Sequence, residues 1–183
     1  MKQIAKPKIL NIKNIAESRL FRIESINLEF SNGVNRIYER VQPRIKESVM
    51  IIPIIDNELI LIREYSVGIE EYELNFPKGA INKGETATEA AIRELKEEIG
   101  YGTKHVELLA ELTILSSYFS SNMNIFIAQN LYKEKLKGDE PEPLEQIRWS
   151  VDNMIQLLDV KNFNEARNIS ALFYAQRYFK KIL

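Results

Sequence analysis

Two adjacent runs, ESVMIIPII (47–55) and ELILIREYSV (58–67), are separated only by Asp56-Asn57. Their isoleucine, leucine and valine are nearly continuous, without polar alternation, and this predicts two strands buried on both faces. A strand with no solvent face needs cover above and below it. The chain is thereby committed to a mixed α/β domain in which helices cover a sheet. Two helices are expected to supply that cover. One runs from about Thr86 to Ile99, where Ala87, Ala91, Leu95 and Ile99 recur every four residues and Gly100 stands just past the end. The other starts near Asn164, where Ile169, Leu172, Phe173, Phe179 and Leu183 approximate helical spacing.

The remaining elements follow from turn chemistry and composition. Residues 20–41, LFRIESINLEFSNGVNRIYERV, read as two strands joined at Ser31-Asn32-Gly33. Such a hairpin is not stable alone and has to pack on the main domain or on a partner chain. Further strands are expected at 106–115, 122–130 and 146–150, with a charged, proline-punctuated loop, KEKLKGDEPEPLEQ, between the last two. At 183 residues the chain has material for one sizeable core and a small appended element. The division expected is an N-terminal β-strand element over 1–45 and a main domain over 46–183.

Composition excludes several classes of function. A formal net charge of −1 provides no basic field for sequence-independent nucleic-acid binding. The absence of cysteine removes disulfides, thiolate metal sites and a cysteine nucleophile. No stretch approaches the ~18 apolar residues of a membrane span, and the N-terminal residues lack the apolar segment of a secretory signal. A soluble, cytoplasmic protein is expected.

The stretch GAINKGETATEAAIRELKEEIGY, Gly79 to Tyr101, holds five glutamates, three glycines and one arginine. Glu94 and Glu98 are four apart and Glu94 and Glu97 three apart, so the three carboxylates cluster on the helix surface. Like charges at that spacing repel, and the last turn of a helix disfavours anions. Local stability does not select this arrangement, whereas a hard divalent cation such as Mg²⁺ does, because it prefers oxygen ligands. Glu85 opens the helix and is placed to tether Arg93, which in turn orients Glu94. Gly79 and Gly84 allow the preceding loop to bend tightly, so that backbone carbonyls also face the metal.

The segment matches G-x₅-E-x₇-R-E-U-x-E-E-x-G-U at Gly79, Glu85, Arg93, Glu94, Glu97, Glu98 and Gly100, with Leu95 and Tyr101 at the apolar places. This is the Nudix box, and the chain resembles the Nudix hydrolases, in particular the ADP-ribose pyrophosphatase-like branch that acts on ADP compounds. SRLFRIESINLEFSNGVNRIYERV, LILIREYSVGIEEYEL and FNEARNISALF extend the likeness beyond the box. The resemblance implies a Nudix α/β/α sandwich with a mixed sheet, plus the N-terminal β-hairpin element. It also implies Mg²⁺, with Mn²⁺ or another divalent cation able to substitute, and a homodimer whose N-terminal strands meet across the interface. The substrates it implies are ADP-ribose, NADH and diadenosine polyphosphates, cleaved to AMP and a phosphorylated remainder.

By the same resemblance the metal ligands are Glu94 and Glu98, with Glu97 beside them and a backbone carbonyl from the Lys78–Gly79 region. The catalytic set is Arg93, Glu97 and one glutamate of the downstream loop, which offers Glu140, Glu142 and Glu145. Glu142 and Glu145 lead, since a general base has to reach the attacking water. Arg40, Arg44 and Arg63 are candidates for the diphosphate, because guanidinium forks match phosphate oxygens. Arg63 and Glu73 sit near ligand-contacting positions of related ADP-ribose enzymes. Tyr38, Tyr65 and Phe119 offer aromatic faces on which adenine could stack, although core or interface packing is the favoured explanation of each, and His105, the only histidine, reads as structural or solvent-exposed.

One departure bears on substrate choice. Where ADP-ribose hydrolases commonly carry proline, this chain has Ser116, while Tyr118 matches the tyrosine of dinucleoside polyphosphate hydrolases. The readings left open are an ADP-compound pyrophosphatase and a Nudix hydrolase for sugar nucleotides or damaged nucleotides. A non-catalytic ADP-ribose or NAD sensor predicts eroded metal ligands, against which the complete R-E-x-x-E-E set argues.

Overall fold

The computed structural model describes residues 5–182. They form ten strands: β1 (Lys8–Glu17), β2 (Phe21–Glu29), β3 (Asn35–Pro43), β4 (Glu47–Ile55), β5 (Glu58–Ser66), β6 (Glu71–Asn75), β7 (Lys78–Ala80), β8 (Tyr101–Ile114), β9 (Ser121–Lys133) and β10 (Glu145–Ser150). The helices are α1 (Ala87–Glu94), which continues as a π-helical turn over Leu95–Ile99, a 3₁₀ helix at Val151–Asp159, and α2 (Ala166–Ile182). The chain separates into two compact units, the residues up to Lys46 with Thr113–Asn122, and Glu47–Leu112 with Met123–Leu183.

In the N-terminal unit β1, β2 and β3 form an antiparallel sheet in that order. The β2–β3 turn is the expected one, with Gly33 at φ +78° and the Asn32 side chain accepting from the Val34 N–H at 3.1 Å. The tip of the β8–β9 hairpin joins this unit: the Val41 N–H donates to the Tyr118 carbonyl at 2.7 Å, and Phe21 meets Phe119 edge to face. Strand β1 is an addition to the two strands read from sequence. All ten of its residues are exposed in the single chain, so no alternation of buried and exposed positions marks it.

In the main unit the sheet runs β10-β5-β4-β9-β8, with β6 on β5 and β7 on β4. Asp56 and Asn57 both have positive φ, 51° and 62°, which makes the β4–β5 connection a tight two-residue hairpin turn. Both strands are buried on both faces, as their composition requires. Val49, Ile51, Ile60 and Ile62 pack with Phe126, Ala128 and the helical residues Ala90, Ala91, Leu95 and Ile99. The alternate residues Met50, Ile52, Leu59 and Leu61 are equally buried, and α2 covers β4 with Ala171, Leu172 and Ala175 in the core. The result is a mixed α/β layer structure.

Two details of the helices differ from the sequence expectation. Ala91, Leu95 and Ile99 are buried as expected, but Ala87, in the first turn, is only half-buried against the same cluster, and Ala90 joins the core beside Ala91. In α2, Phe173 is 50% exposed while Ala171 and Ala175 are buried, since small residues are what the close approach to the sheet admits. Leu183 lies outside the described residues.

Candidate active site

The helix begins where its sequence says it should. Thr86 caps it by accepting from the Glu89 N–H at 3.2 Å, and Glu89 reciprocates by accepting from the Thr86 N–H at 2.8 Å. This capping box explains one of the five glutamates as local stabilisation. Three of the others, Glu85, Glu94 and Glu97, belong to Arg93. Its guanidinium donates to both oxygens of Glu85, at 2.8 and 3.0 Å, and to Glu94 Oε1 at 2.7 Å. It also donates to Glu97 Oε2 at 2.9 Å and to the Ala80 carbonyl at 2.8 Å. One planar five-donor group thus ties the loop before the helix to two of the helix glutamates, which a lysine has neither the donors nor the shape to do. The same contacts raise the guanidinium's pKa further, and Arg93 holds Glu85 below the usual carboxylate range.

Beyond Glu94 the helix widens into the π-turn, closed by the Gly100 N–H donating to the Leu95 carbonyl, with Gly100 at φ +78°. Such turns are frequent at functional sites. Here it carries Glu97 and Glu98, and Glu98 faces inward. Glu94 and Glu98 are 9% and 8% exposed, very low for glutamates. Burial pushes the Glu98 carboxyl up to about 9, with the Lys78 ammonium opposing and the Glu94 charge adding to the rise. Burial also raises Glu94, against the pull of Arg93. The Lys78 N–H donates to Glu98 Oε2 at 3.0 Å, and the Lys78 ammonium pairs with Glu64 on β5.

Gly79 is required by proximity. A Cβ at this position would stand 2.0 Å from Glu94 Oε1, so the buried carboxylate occupies the space a side chain would fill. Two buried carboxylates with raised pKa, next to the half-buried backbone at Lys78–Gly79, form a hard oxygen donor set that fits a divalent cation. Among the described residues no three acidic, histidine or cysteine side chains close into a complete cage. The physical reason is Arg93, which turns Glu94 and Glu97 toward itself. A cation here needs oxygen from water, backbone or phosphate to complete its shell, as Mg²⁺ commonly does.

The other sequence candidates fall into three groups. Arg63 donates to Glu145 at 2.8 Å, and Glu73 is buried on β6, paired in register with Glu64. Arg40 and Arg44 belong to the N-terminal unit, where they pair with Glu24 at 2.8 Å and Glu17 at 3.0 Å. Tyr118 belongs there too and is 52% exposed. In the downstream loop Glu142 accepts from the Tyr72 hydroxyl at 2.7 Å and Glu145 is held by Arg63. The Glu140 carboxyl is raised by burial and by the charges of Glu64 and Asp139, with Lys78 opposing. The two glutamates favoured from sequence are therefore engaged with side chains of β5 and β6, while Glu140 lies two residues past Gly138, where the chain packs against Glu97. Lys78 and Glu64 were not singled out from sequence, although Lys78 adjoins the first glycine of the box and Glu64 adjoins Arg63.

Replacing Arg93 by lysine is expected to lower kcat about a hundredfold, by releasing Glu94 and Glu97 from one fixed donor. Steady-state kinetics check this, with circular dichroism to confirm that the fold is kept.

A model of the NUDIX domain matches residues 44–172, and a model of the NudE-type Nudix hydrolase N-terminal domain matches residues 7–40. The chain is 57% identical to the ADP compounds hydrolase NudE of Escherichia coli (strain K12), over 98% of this chain and 96% of that protein. It is 25% identical to the ADP-ribose pyrophosphatase of Bacillus subtilis (strain 168), over 92% and 95% of the two chains. A crystal structure of an ADP compounds hydrolase superposes with a TM-score of 0.94 at 56% identity, covering 99% of this chain and 98% of that one. With the box intact in sequence and its glutamates gathered around Arg93 and Gly79, the chain belongs to the Nudix hydrolase family.

Proposed function

We propose that this enzyme is a divalent-cation-dependent pyrophosphohydrolase that cleaves ADP linked to a second moiety, releasing AMP and the phosphorylated remainder. Nudix hydrolases use divalent cations, and the ADP-linked substrate class follows from the relatives. The observation that carries the reading is the buried Glu94–Glu98 pair, set against Gly79 and disciplined by Arg93. ADP-ribose, NADH and diadenosine polyphosphates are the substrates proposed, with Mg²⁺ or Mn²⁺ as the ion.

A bound cation neutralises phosphate charge and lowers the pKa of a coordinated water. Glu94 and Glu98 would hold it, with Glu97 beside them and the Lys78–Gly79 backbone able to contribute oxygen. Arg93 keeps Glu94 in place and offsets the repulsion between the carboxylates of Glu94 and Glu97. Lys78 offsets the negative charge of Glu64 and Glu98 when the cluster is ionised. Glu140 is assigned to take the proton from the attacking water, since Glu142 and Glu145 are engaged by Tyr72 and Arg63 and Glu140 follows directly on the segment packed against Glu97. Arg63 is assigned to the diphosphate, exchanging Glu145 for phosphate oxygens, with Glu73 on the neighbouring strand.

The N-terminal strands, residues 1–45, are proposed to make a homodimer with a second copy of the chain. Ile9, Leu10, Ile12, Ile15 and Ile37 are all exposed in the single chain, which supports that reading. No helix among the described residues is long and apolar enough to cross a membrane. A cytoplasmic site of action is proposed, on small-molecule nucleotides.

The experiment is AMP release with Mg²⁺ from ADP-ribose, NADH, diadenosine triphosphate and ADP-glucose, offered in parallel. Release from the first three, fastest from whichever the pocket fits, is the expected result. Release from ADP-glucose alone would transfer the chain to the sugar-nucleotide hydrolases, and binding without release under Mg²⁺ or Mn²⁺ would make it a sensor.

A further inference from the structure

The β9–β10 connection is not a free surface loop. Its first limb lies along the end of the catalytic helix, where the Glu134 N–H donates to the Gly100 carbonyl at 3.0 Å. Further on, the Leu136 N–H donates to the Lys96 carbonyl at 3.2 Å. Lys96 also pairs with Glu134 at 2.9 Å, and a Cβ on Gly138 would stand 3.5 Å from Glu97 Cβ, so the chain passes close over that glutamate. The second limb is tied to the sheet strands β6 and β5. The Tyr72 hydroxyl of β6 donates to Glu142 at 2.7 Å, and Arg63 of β5 donates to Glu145 at 2.8 Å.

Between the two sets of tethers run Asp139, Glu140 and Pro141. The chain enters this span from Gly138, packed against Glu97, and leaves it at Glu142, held by Tyr72, so the short span bridges the end of the catalytic helix and β6. Tyr72 is itself fixed. It pairs in register with Tyr65, whose ring meets it edge to face at 5.4 Å, and its carbonyl accepts from the Asn162 side chain at 3.1 Å. An exposed phenol donating to an exposed carboxylate adds little to global stability. What this contact does is local: it fixes the far end of a three-residue span stiffened by proline.

We propose that Tyr72 and Glu142 form a positioning latch that holds the β9–β10 strap across the carboxylate cluster and so presents Glu140 to the reacting water. Glu142 then works as a hydrogen-bond acceptor, and its charge takes no proton from the reaction. The proposal rests on the hydrolase reading above.

The test compares Tyr72→Phe, Glu142→Ala, Glu142→Gln and Glu140→Gln in the full-length enzyme, with ADP-ribose and Mg²⁺. Tyr72→Phe and Glu142→Ala are expected to lower kcat about tenfold or more with KM little changed, because the span loses its orientation. Glu142→Gln, whose amide oxygen still accepts from the phenol, is expected to stay within about threefold of wild type. Glu140→Gln is expected to lose about a hundredfold or more. Limited trypsin digestion gives a second readout without activity: cleavage after Lys137 is expected to quicken in Tyr72→Phe and Glu142→Ala and not in Glu142→Gln. A Glu142→Gln enzyme as impaired as Glu142→Ala, with its loop still protected, would make Glu142 a proton-transfer group and overturn the latch while leaving the hydrolase reading intact. Unchanged kcat and unchanged cleavage in Tyr72→Phe would overturn it equally. A wild type that releases no AMP sinks the hydrolase reading instead, and the digestion then decides whether the tether itself exists.

Discussion

Glu98→Gln is expected to cost about a thousandfold in kcat and to make the metal-free protein more stable. The two effects share a cause. Glu98 is 8% exposed and its carboxyl is pushed up to about 9, chiefly by burial, so the ionised form that a cation needs is the form the metal-free fold disfavours. Glutamine keeps the shape and the acceptor oxygen for the Lys78 N–H but cannot supply the charge. Removing an anionic ligand takes away much of the electrostatic stabilisation of phosphate, and losses of about three orders of magnitude are ordinary for such groups.

The stability half of the prediction has a definite sign. In the unfolded chain Glu98 ionises above about 4.5, whereas in the metal-free fold it holds its proton up to about 9. Within that window the native state binds more protons than the unfolded state, so stability falls as pH rises. At pH 7 the deficit is on the order of a few kcal/mol. Thermal melts in EDTA at pH 5, 7 and 9 are expected to show Glu98→Gln increasingly more stable than wild type as pH rises. Added Mg²⁺ is expected to raise the wild-type melting temperature and to leave the variant nearly where it was, since a ligand that binds only the native state stabilises it. A wild type whose melting point ignores Mg²⁺ at every pH would remove Glu98 from the metal site.

How much of this was legible in the chain depends on whether a feature is local. The buried strands β4 and β5 announce themselves by uninterrupted aliphatic composition, and the start of α1 by Thr86 and Glu89 three residues apart. The tethering of Arg93 by Glu85 and its hold on Glu94 were legible in the sequence and are what the structure displays, while the added Arg93–Glu97 pair was not. Strand β1 was not legible, because KILNIKNIAE mixes lysine and asparagine with isoleucine and is exposed throughout in one chain. The π-turn at Leu95–Ile99 was not legible either, since its residues are good α-helix formers and only packing widens the turn. The roles of Glu140, Glu142 and Glu145 are the clearest case. Three similar glutamates in one loop differ only in what they meet, and Tyr72 and Arg63 lie 70 and 82 residues earlier in the chain.

Gly79→Ala is expected to lower kcat about a hundredfold while leaving the fold in place. Gly79 has ordinary negative-side backbone geometry, so alanine meets no strain of its own there. What it meets is Glu94: the new methyl would sit 2.0 Å from Oε1 and 2.1 Å from Cδ, and no side chain tolerates that approach. The carboxylate has to leave, yet it is buried and held by Arg93 at 2.7 Å. Moving it by an ångström or more takes a ligand out of line and costs about a hundredfold. The Mg²⁺ concentration for half-maximal activity is expected to rise with it. Two companions make the cause visible. Gly68→Ala, where a Cβ meets nothing within 4 Å, is expected to behave as wild type. Glu94→Asp withdraws the carboxylate by one methylene, so the Gly79→Ala/Glu94→Asp double variant is expected to lose less than the two single losses combined, the methyl now occupying the space the shorter side chain vacates. Strict additivity in that cycle would mean that the two residues act separately, and the close fit of backbone to carboxylate would then have no part in holding the cation.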